Sequence, residues 1–255
     1  MPTDQSKAIV LRIVEFSETS LVVTLLTRDL GRVTAIAKGA RRPRGPFEGA
    51  LDLLAVCRVV VIRKRTDTLD LLTEAKLLRR FRGAERSLER TYAGYYLAEI
   101  LRLVTEDDDP QPELYELAIR VLQSIDGTGN VALALAYFDA QWLRLVGWAA
   151  ATDRCASCHG DPGDLPRLPF SLESGGVVCP DCRRTAGRTV SARREVVRAL
   201  GRLQRPGLET IPSDLEPGCY GELRDLMNRY IQERLGLVPR LQTFLPTAIR
   251  TEPTA

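Results

Sequence analysis

Along the first 80 residues apolar positions recur with the two-residue period of strands, and from residue 84 onward with the three- and four-residue spacing of helices. Residues 7–14 (KAIVLRIV) are extended and apolar, residues 21–27 (LVVTLLT) are rich in β-formers, and residues 31–37 (GRVTAIA) alternate. A long β-branched run fills residues 53–63, and residues 68–78 (TLDLLTEAKLL) read as a fifth strand or as the approach to a helix. Asp29-Leu30-Gly31 predicts a tight turn between the second and third runs. Residues 38–49, KGARRPRGPFEG, hold too much Gly and Pro for regular structure. About five short antiparallel strands in this length predict a small closed barrel of the OB-fold type.

The helical period carries Leu88, Tyr92, Tyr95 and Tyr96, Ile100 and Val104, and stops at the acidic run 106–109, which reads as a solvated helix end before Pro110. Helices are also predicted at 112–125 and at 130–146, the latter with Gly147 as its C-cap. Residues 152–188 show no period. Helix returns at 191–204, with Ser191 placed as N-cap, and at 220–235, closed by Gly236. The aromatic stripes on these helices are read as core. The expected class is therefore α+β: an N-terminal five-stranded OB-fold barrel (residues 1–82), then an α-helical domain (83–150) with an inserted four-cysteine zinc-binding module (151–188). C-terminal helices (189–245) are expected to pack on the helical domain, followed by a disordered tail (246–255).

Composition narrows the class of protein. No run approaches the roughly 18 uncharged apolar residues that span a bilayer. The N-terminus, with its early Asp4, does not read as a signal peptide, so a cytoplasmic location is expected. The net charge of +3 hides a strong segregation. Residues 1–82 carry a surplus of seven positive charges, residues 83–182 a surplus of nine negative ones, and residues 183–205 hold eight Arg against the single Glu195. Two basic segments flanking an acidic middle are what a polyanion binder would carry, although solvated surface charge gives the same count.

Chemistry is concentrated in four cysteines. Cys155-x-x-Cys158 and Cys179-x-x-Cys182 are separated by 20 residues, a spacing that suits four thiolates around one Zn²⁺ about 2.3 Å from each sulfur. Such a set is saturated, which predicts one structural ion and no open catalytic position. His159 follows Cys158 and could replace a thiolate, but four cysteines already fill the ion. Ser174-Gly175-Gly176 is expected to let the backbone turn over the metal. Cys57 and Cys219 are read as buried or incidental. Cys179-Pro-Asp-Cys182 resembles the P-C-x-x-C half of a zinc deaminase site, but no upstream H-x-E accompanies it, which argues against a zinc deaminase. With a single histidine and no phosphate-binding or nucleophile-elbow motif, the chain is expected not to be an enzyme.

The basic residues fall at informative places. Lys38, Arg41, Arg42 and Arg44 crowd the glycine-rich loop, Arg63 and Lys64 end the fourth strand, and Arg193 and Arg194 stand near the start of a helix. These eight are the expected DNA contacts. Capture of the phosphate backbone should dominate, because among the first 80 residues only Phe16 and Phe47 could stack on bases.

Two segments together resemble one family. They are T-x-x-x-G-x5-A-K-G-A-R-R (Thr27 to Arg42) and F-S-x-x-x-G-G-x-x-C-x-x-C (Phe170 to Cys182), with further likeness at residues 7–42, 96–103, 138–147 and 235–245. They are similar to the bacterial recombination mediators of the RecO family over essentially the whole chain. The resemblance implies an OB-fold, a helical middle, a zinc module and no turnover. It implies binding of single- and double-stranded DNA, annealing of complementary strands, and, with RecR, loading of RecA onto strands covered by single-strand-binding protein (SSB). It implies no membrane and no small-molecule substrate, and a nucleoid-associated protein. Lys38, Arg41 and Arg42 match the family's basic motif, and Arg193 and Arg194 fall where it has a second basic patch. The rival expectation is a zinc-containing adaptor that bridges proteins without touching DNA.

Overall fold

The computed structural model describes residues 3–42, 45–47, 49–64, 69–212 and 215–249. The chain divides into two compact units, Met1–Leu122 and Gln123–Ala255.

The first unit is built on β1 (Thr3–Glu15), β2 (Leu21–Thr27), β3 (Arg32–Ala37), β4 (Val56–Ile62) and β5 (Asp70–Arg79). They follow one another in the order β1-β2-β3-β5-β4, and β4 also pairs with β1, so the sheet closes. All contacts are antiparallel except β3 with β5. Residues 68–78 thus resolve as strand from Asp70 on, and β4 is shorter than the β-branched run. The inward row is made of small and branched residues, among them Ala8, Val10, Val23, Leu25, Ala35, Val59 and Val61, all fully buried. Small side chains are what the interior of a five-stranded closure has room for. Cys57 lies in this interior and donates its thiol to the Ala50 carbonyl at 2.9 Å. Burial pushes that thiol up to about 12, so it stays neutral and is a packing residue.

The turn between β2 and β3 explains the T-x-x-x-G motif. The Thr27 hydroxyl donates to the Gly31 carbonyl (2.7 Å) and accepts from the Leu30 N–H (2.9 Å). Gly31 has φ +75°, and a Cβ there would come within 2.4 Å of the Asp109 backbone nitrogen. That close approach is the acidic run docking on the sheet rather than ending in solvent. The Arg32 N–H donates to the Glu106 carbonyl, Arg32 pairs with Asp107 at 2.8 Å, and Arg63 is held between Asp70 (3.1 Å) and Asp108. Helices α1 (Gly83–Arg86), α2 (Leu88–Val104) and α3 (Pro112–Asp126) follow the sheet. Ser87 caps α2 by accepting from the Arg90 N–H at 3.2 Å, and α2 packs on β1.

The second unit is organised around α4 (Val131–Leu145), in which every residue from Val131 to Leu143 is buried. A helix buried on every side belongs at the centre of a bundle, and α5 (Arg194–Leu203) and α6 (Pro217–Leu235) pack on it. One charged pair lies inside: Asp139 and Arg224, 0% and 2% exposed, meet at 2.6 Å. Asp139 also accepts from Trp142 Nε1 (3.0 Å), and Arg224 Nε donates to Asn228 (2.7 Å).

Between α4 and α5 the aperiodic segment contains a three-stranded sheet that the sequence pattern does not announce. It consists of β6 (Arg167–Ser171), β7 (Gly176–Val177) and β8 (Thr189–Arg193), ordered β7-β6-β8. Ser191 is therefore a strand residue paired with Pro169, not a helix cap, and Arg193 stands at the N-cap of α5 without a side-chain cap bond. The chain beyond α6 is partly docked, with Tyr220 Oη donating to the Pro246 carbonyl at 3.2 Å. The last part of the expected tail, residues 250–255, lies outside the described residues.

Candidate metal centre and basic surfaces

The four cysteines converge in the second unit, with all four Sγ atoms within 4.8 Å of one another. Cys158 Sγ and Cys179 Sγ are 3.8 Å apart, close to the roughly 3.8 Å edge of a tetrahedron of sulfurs at ~2.3 Å from a central ion. The first pair sits on a turn closed by the His159 N–H to the Cys155 carbonyl and the Cys155 N–H to the Gly160 carbonyl, both 2.9 Å. The second pair follows β7 and runs into a short 3-10 turn, Cys182–Arg184. Val178 and Ala186 pack against the sulfurs. Such a set could hold one metal ion.

The charge balance of the cluster points the same way. Burial alone would raise the Cys155 thiol, but the N–H groups of Cys158, Cys179 and Ser157 outweigh it and bring the group down to about 6. The neighbouring Cys179 and Cys158 thiols push Cys182 up to about 12. Without a cation the cluster cannot hold four thiolates side by side, and a divalent ion at its centre removes that repulsion.

The neighbouring glycines shape the sheet that leads into the second cysteine pair. Gly175-Gly176 makes the β6–β7 hairpin, where a Cβ on Gly176 would lie 2.4 Å from the Ala151 carbonyl oxygen and one on Gly175 would meet Arg234 and Tyr230. Phe170, fully buried, packs edge-on against Tyr230 of α6 (5.6 Å between centroids), and the Ser171 hydroxyl donates to the Ala186 carbonyl at 2.5 Å. The F-S-x-x-x-G-G segment is thus the device that fixes the cysteine module to α6.

The expected DNA contacts separate into two kinds. Lys38, Arg41 and Arg42 are brought together on one exposed turn at the end of β3, shaped by Gly39 (φ +71°) and closed by the Arg42 N–H to the Gly39 carbonyl at 3.0 Å. Arg41 also pairs with Glu15 at 3.3 Å, with both side chains exposed. Arg44 lies outside the described residues. Arg63 and exposed Lys64 stand beside Thr3, the far end of β1 from that turn. The second kind is structural in its contacts. Arg193 binds Glu222 through its backbone N–H (2.8 Å) and Nε (2.5 Å) and donates to the Gly218 carbonyl. Arg194 donates to the carbonyls of Leu165 (2.9 Å) and Gly163 (2.5 Å) and lies 3.3 Å from Asp164. Exposed Arg183 and Arg184 follow Cys182 directly and, with Arg167, Pro180 and Val190, line a groove of about 490 Å³. They are not among the eight contacts expected from sequence, and their placement depends on the β6–β8 sheet, which the sequence pattern does not announce.

A chain with a closed five-stranded sheet, a helical bundle and a four-cysteine cluster falls in the class of DNA recombination and repair proteins by two matches to known families. Residues 1–81 match the family described as Recombination protein O N terminal, and residues 85–242 match Recombination protein O C terminal. The chain is 50% identical to a DNA repair protein RecO of Rhodopirellula baltica over 94% of its own length and 97% of that protein. Identity to the RecO of Anaeromyxobacter sp. strain K is 33%, covering 89% of this chain and 90% of the relative; for Myxococcus xanthus it is 32%, covering 90% and 91%. The chain belongs to the RecO family of DNA repair proteins. No helix among the described residues is long and apolar enough to cross a membrane.

Proposed function

We propose that this protein binds single- and double-stranded DNA through the phosphate backbone, anneals complementary strands and, with RecR, mediates RecA loading onto SSB-coated single strands. The observation that carries the reading is the exposed turn holding Lys38, Arg41 and Arg42 at the exit of β3. In this reading the closed sheet is an OB-fold, whose second and third strands and flanking loops form the usual nucleic-acid face. Annealing follows from charge neutralisation: two strands repel until cations screen their phosphates, and contacts indifferent to sequence leave the bases free to test pairing.

Four thiols suit Zn²⁺ above the harder divalent ions, and Cys155, Cys158, Cys179 and Cys182 would saturate it. The ion supplies local order, and the protein acts by binding without turnover. Replacing Lys38, Arg41 and Arg42 together by Ala should abolish annealing of complementary oligonucleotides and reduce the slope of log affinity against log salt by about two units on single strands. Binding and annealing that survive the triple replacement unchanged would remove this reading. A second reading, a zinc-containing adaptor without direct DNA contact, is favoured by the pairing of Arg41, Arg63, Arg193 and Arg194 with carboxylates of the chain itself. It requires that the intact protein shift no DNA at any salt.

A further inference from the structure

We propose that Phe16 is a base-stacking residue that gives this protein a preference for unpaired nucleic acid over duplex; the inference rests on the DNA-binding reading above. Phe16 stands at the tip of the β1–β2 hairpin, where its N–H and that of Ser17 both donate to the Ser20 carbonyl (3.1 and 3.3 Å). Phe16 is 63% exposed, whereas Phe47, on the loop after β3, is buried in the core at 4%. An aromatic ring held in solvent by a tight turn contributes nothing to the core of its own unit.

The surroundings of Phe16 identify what the ring would meet. The Arg41 N–H donates to the Thr19 carbonyl at 3.1 Å, which ties the Lys38–Arg42 turn to the same hairpin tip. On the same three strands, Val14, Val22 and Ile36 form one cross-strand row next to the hairpin tip, with Val14 exposed and the other two half-buried. The tip also carries two carboxylates. Glu15 is paired with Arg41, and exposed Glu18 leaves the cations in excess. A ring and an aliphatic row beside a cluster of cations fit a polyanion that also presents planar apolar faces, which is a single strand with its bases unstacked. Duplex bases are stacked within the helix and offer the ring no face, so only phosphate capture remains for double strands.

The decisive comparison uses the full-length protein with three probes at fixed salt: an oligothymidine, an abasic strand of the same length and a duplex. Fluorescence anisotropy should show the oligothymidine bound roughly 5- to 150-fold more tightly than the abasic strand, the range of one base stacked on an aromatic. Phe16→Ala should erase that difference, leave abasic and duplex affinities as they were, and leave the melting temperature unaltered. Phe16→Tyr should restore it. Equal affinity of wild type for thymidine and abasic strands, or a Phe16→Ala loss shared by all three probes, overturns the inference while the DNA-binding reading stands. Failure of the intact protein to bind any probe overturns both.

Discussion

Arg193 shows what a single residue's partners decide. Its position in an arginine-rich stretch marks it as a phosphate contact, yet its guanidinium and backbone N–H are both spent on Glu222, 29 residues downstream. Burial by itself would raise the Glu222 carboxyl, and the two Arg193 donors together with the positive charge of Arg167 hold it below its ordinary value instead. A carboxyl depressed in the folded state contributes stability that is present above its unfolded value, roughly 4.3, and is lost as pH falls through that value toward the folded one. Glu222→Gln should therefore lower the melting temperature at pH 7. The gap to wild type should close progressively from about pH 5 downward. A gap that stays constant over that range in thermal melts would show that the carboxylate charge is not what Arg193 reads. Such pairings are invisible in the sequence because nothing local connects residue 193 to residue 222, or Arg194 to the carbonyls of Leu165 and Gly163. By contrast the exposure of Lys38, Arg41 and Arg42 on one turn was legible, since a Gly-containing turn exposes whatever cations it carries.

Elements with a sustained period were readable, and those defined by their neighbours were not. β2 coincides with the predicted run 21–27, and α2, α3 and α4 lie within one or two residues of the apolar stripes once Ser87 and Asn130 are recognised as caps. The three strands of the cysteine module escaped because β7 has two residues, β6 contains Pro169 and β8 runs directly into α5. Their alternation is too short to stand out, and the sheet is held to α6 by Phe170 packing on Tyr230. Between α4 and α6, the Asp139–Arg224 pair is buried and charged, so removing one partner is costly. Asp139→Ala would leave the buried Arg224 charge between α4 and α6 without its carboxylate, a loss of about 3–5 kcal/mol. Replacing both residues by apolar ones of similar size should cost far less. Urea unfolding of the two variants checks this, and equal destabilisation by single and double replacement would contradict it.

At the scale of the whole molecule, the cysteine cluster and the closed sheet belong to different compact units. If the cluster holds zinc, chelation should raise hydrogen exchange across residues 151–193 and leave the amides of β1–β5 protected. Exchange that rises equally in both units, or in neither, would exclude a structural ion confined to the second. The same division bears on how the first unit comes into being. β1 is the seam of the closed sheet, paired along one edge with β2 and along the other with β4, so that Thr3 lies beside Ile62. The gap between β3 and β4 is spanned only by β5. During synthesis the hairpin of β1 and β2 can form early, but one edge of β1 stays open until β4 has left the ribosome, and closure waits for β5. The nascent chain thus carries an unpaired strand edge until β4 and β5 have emerged, and any delay before that point prolongs its exposure to other chains.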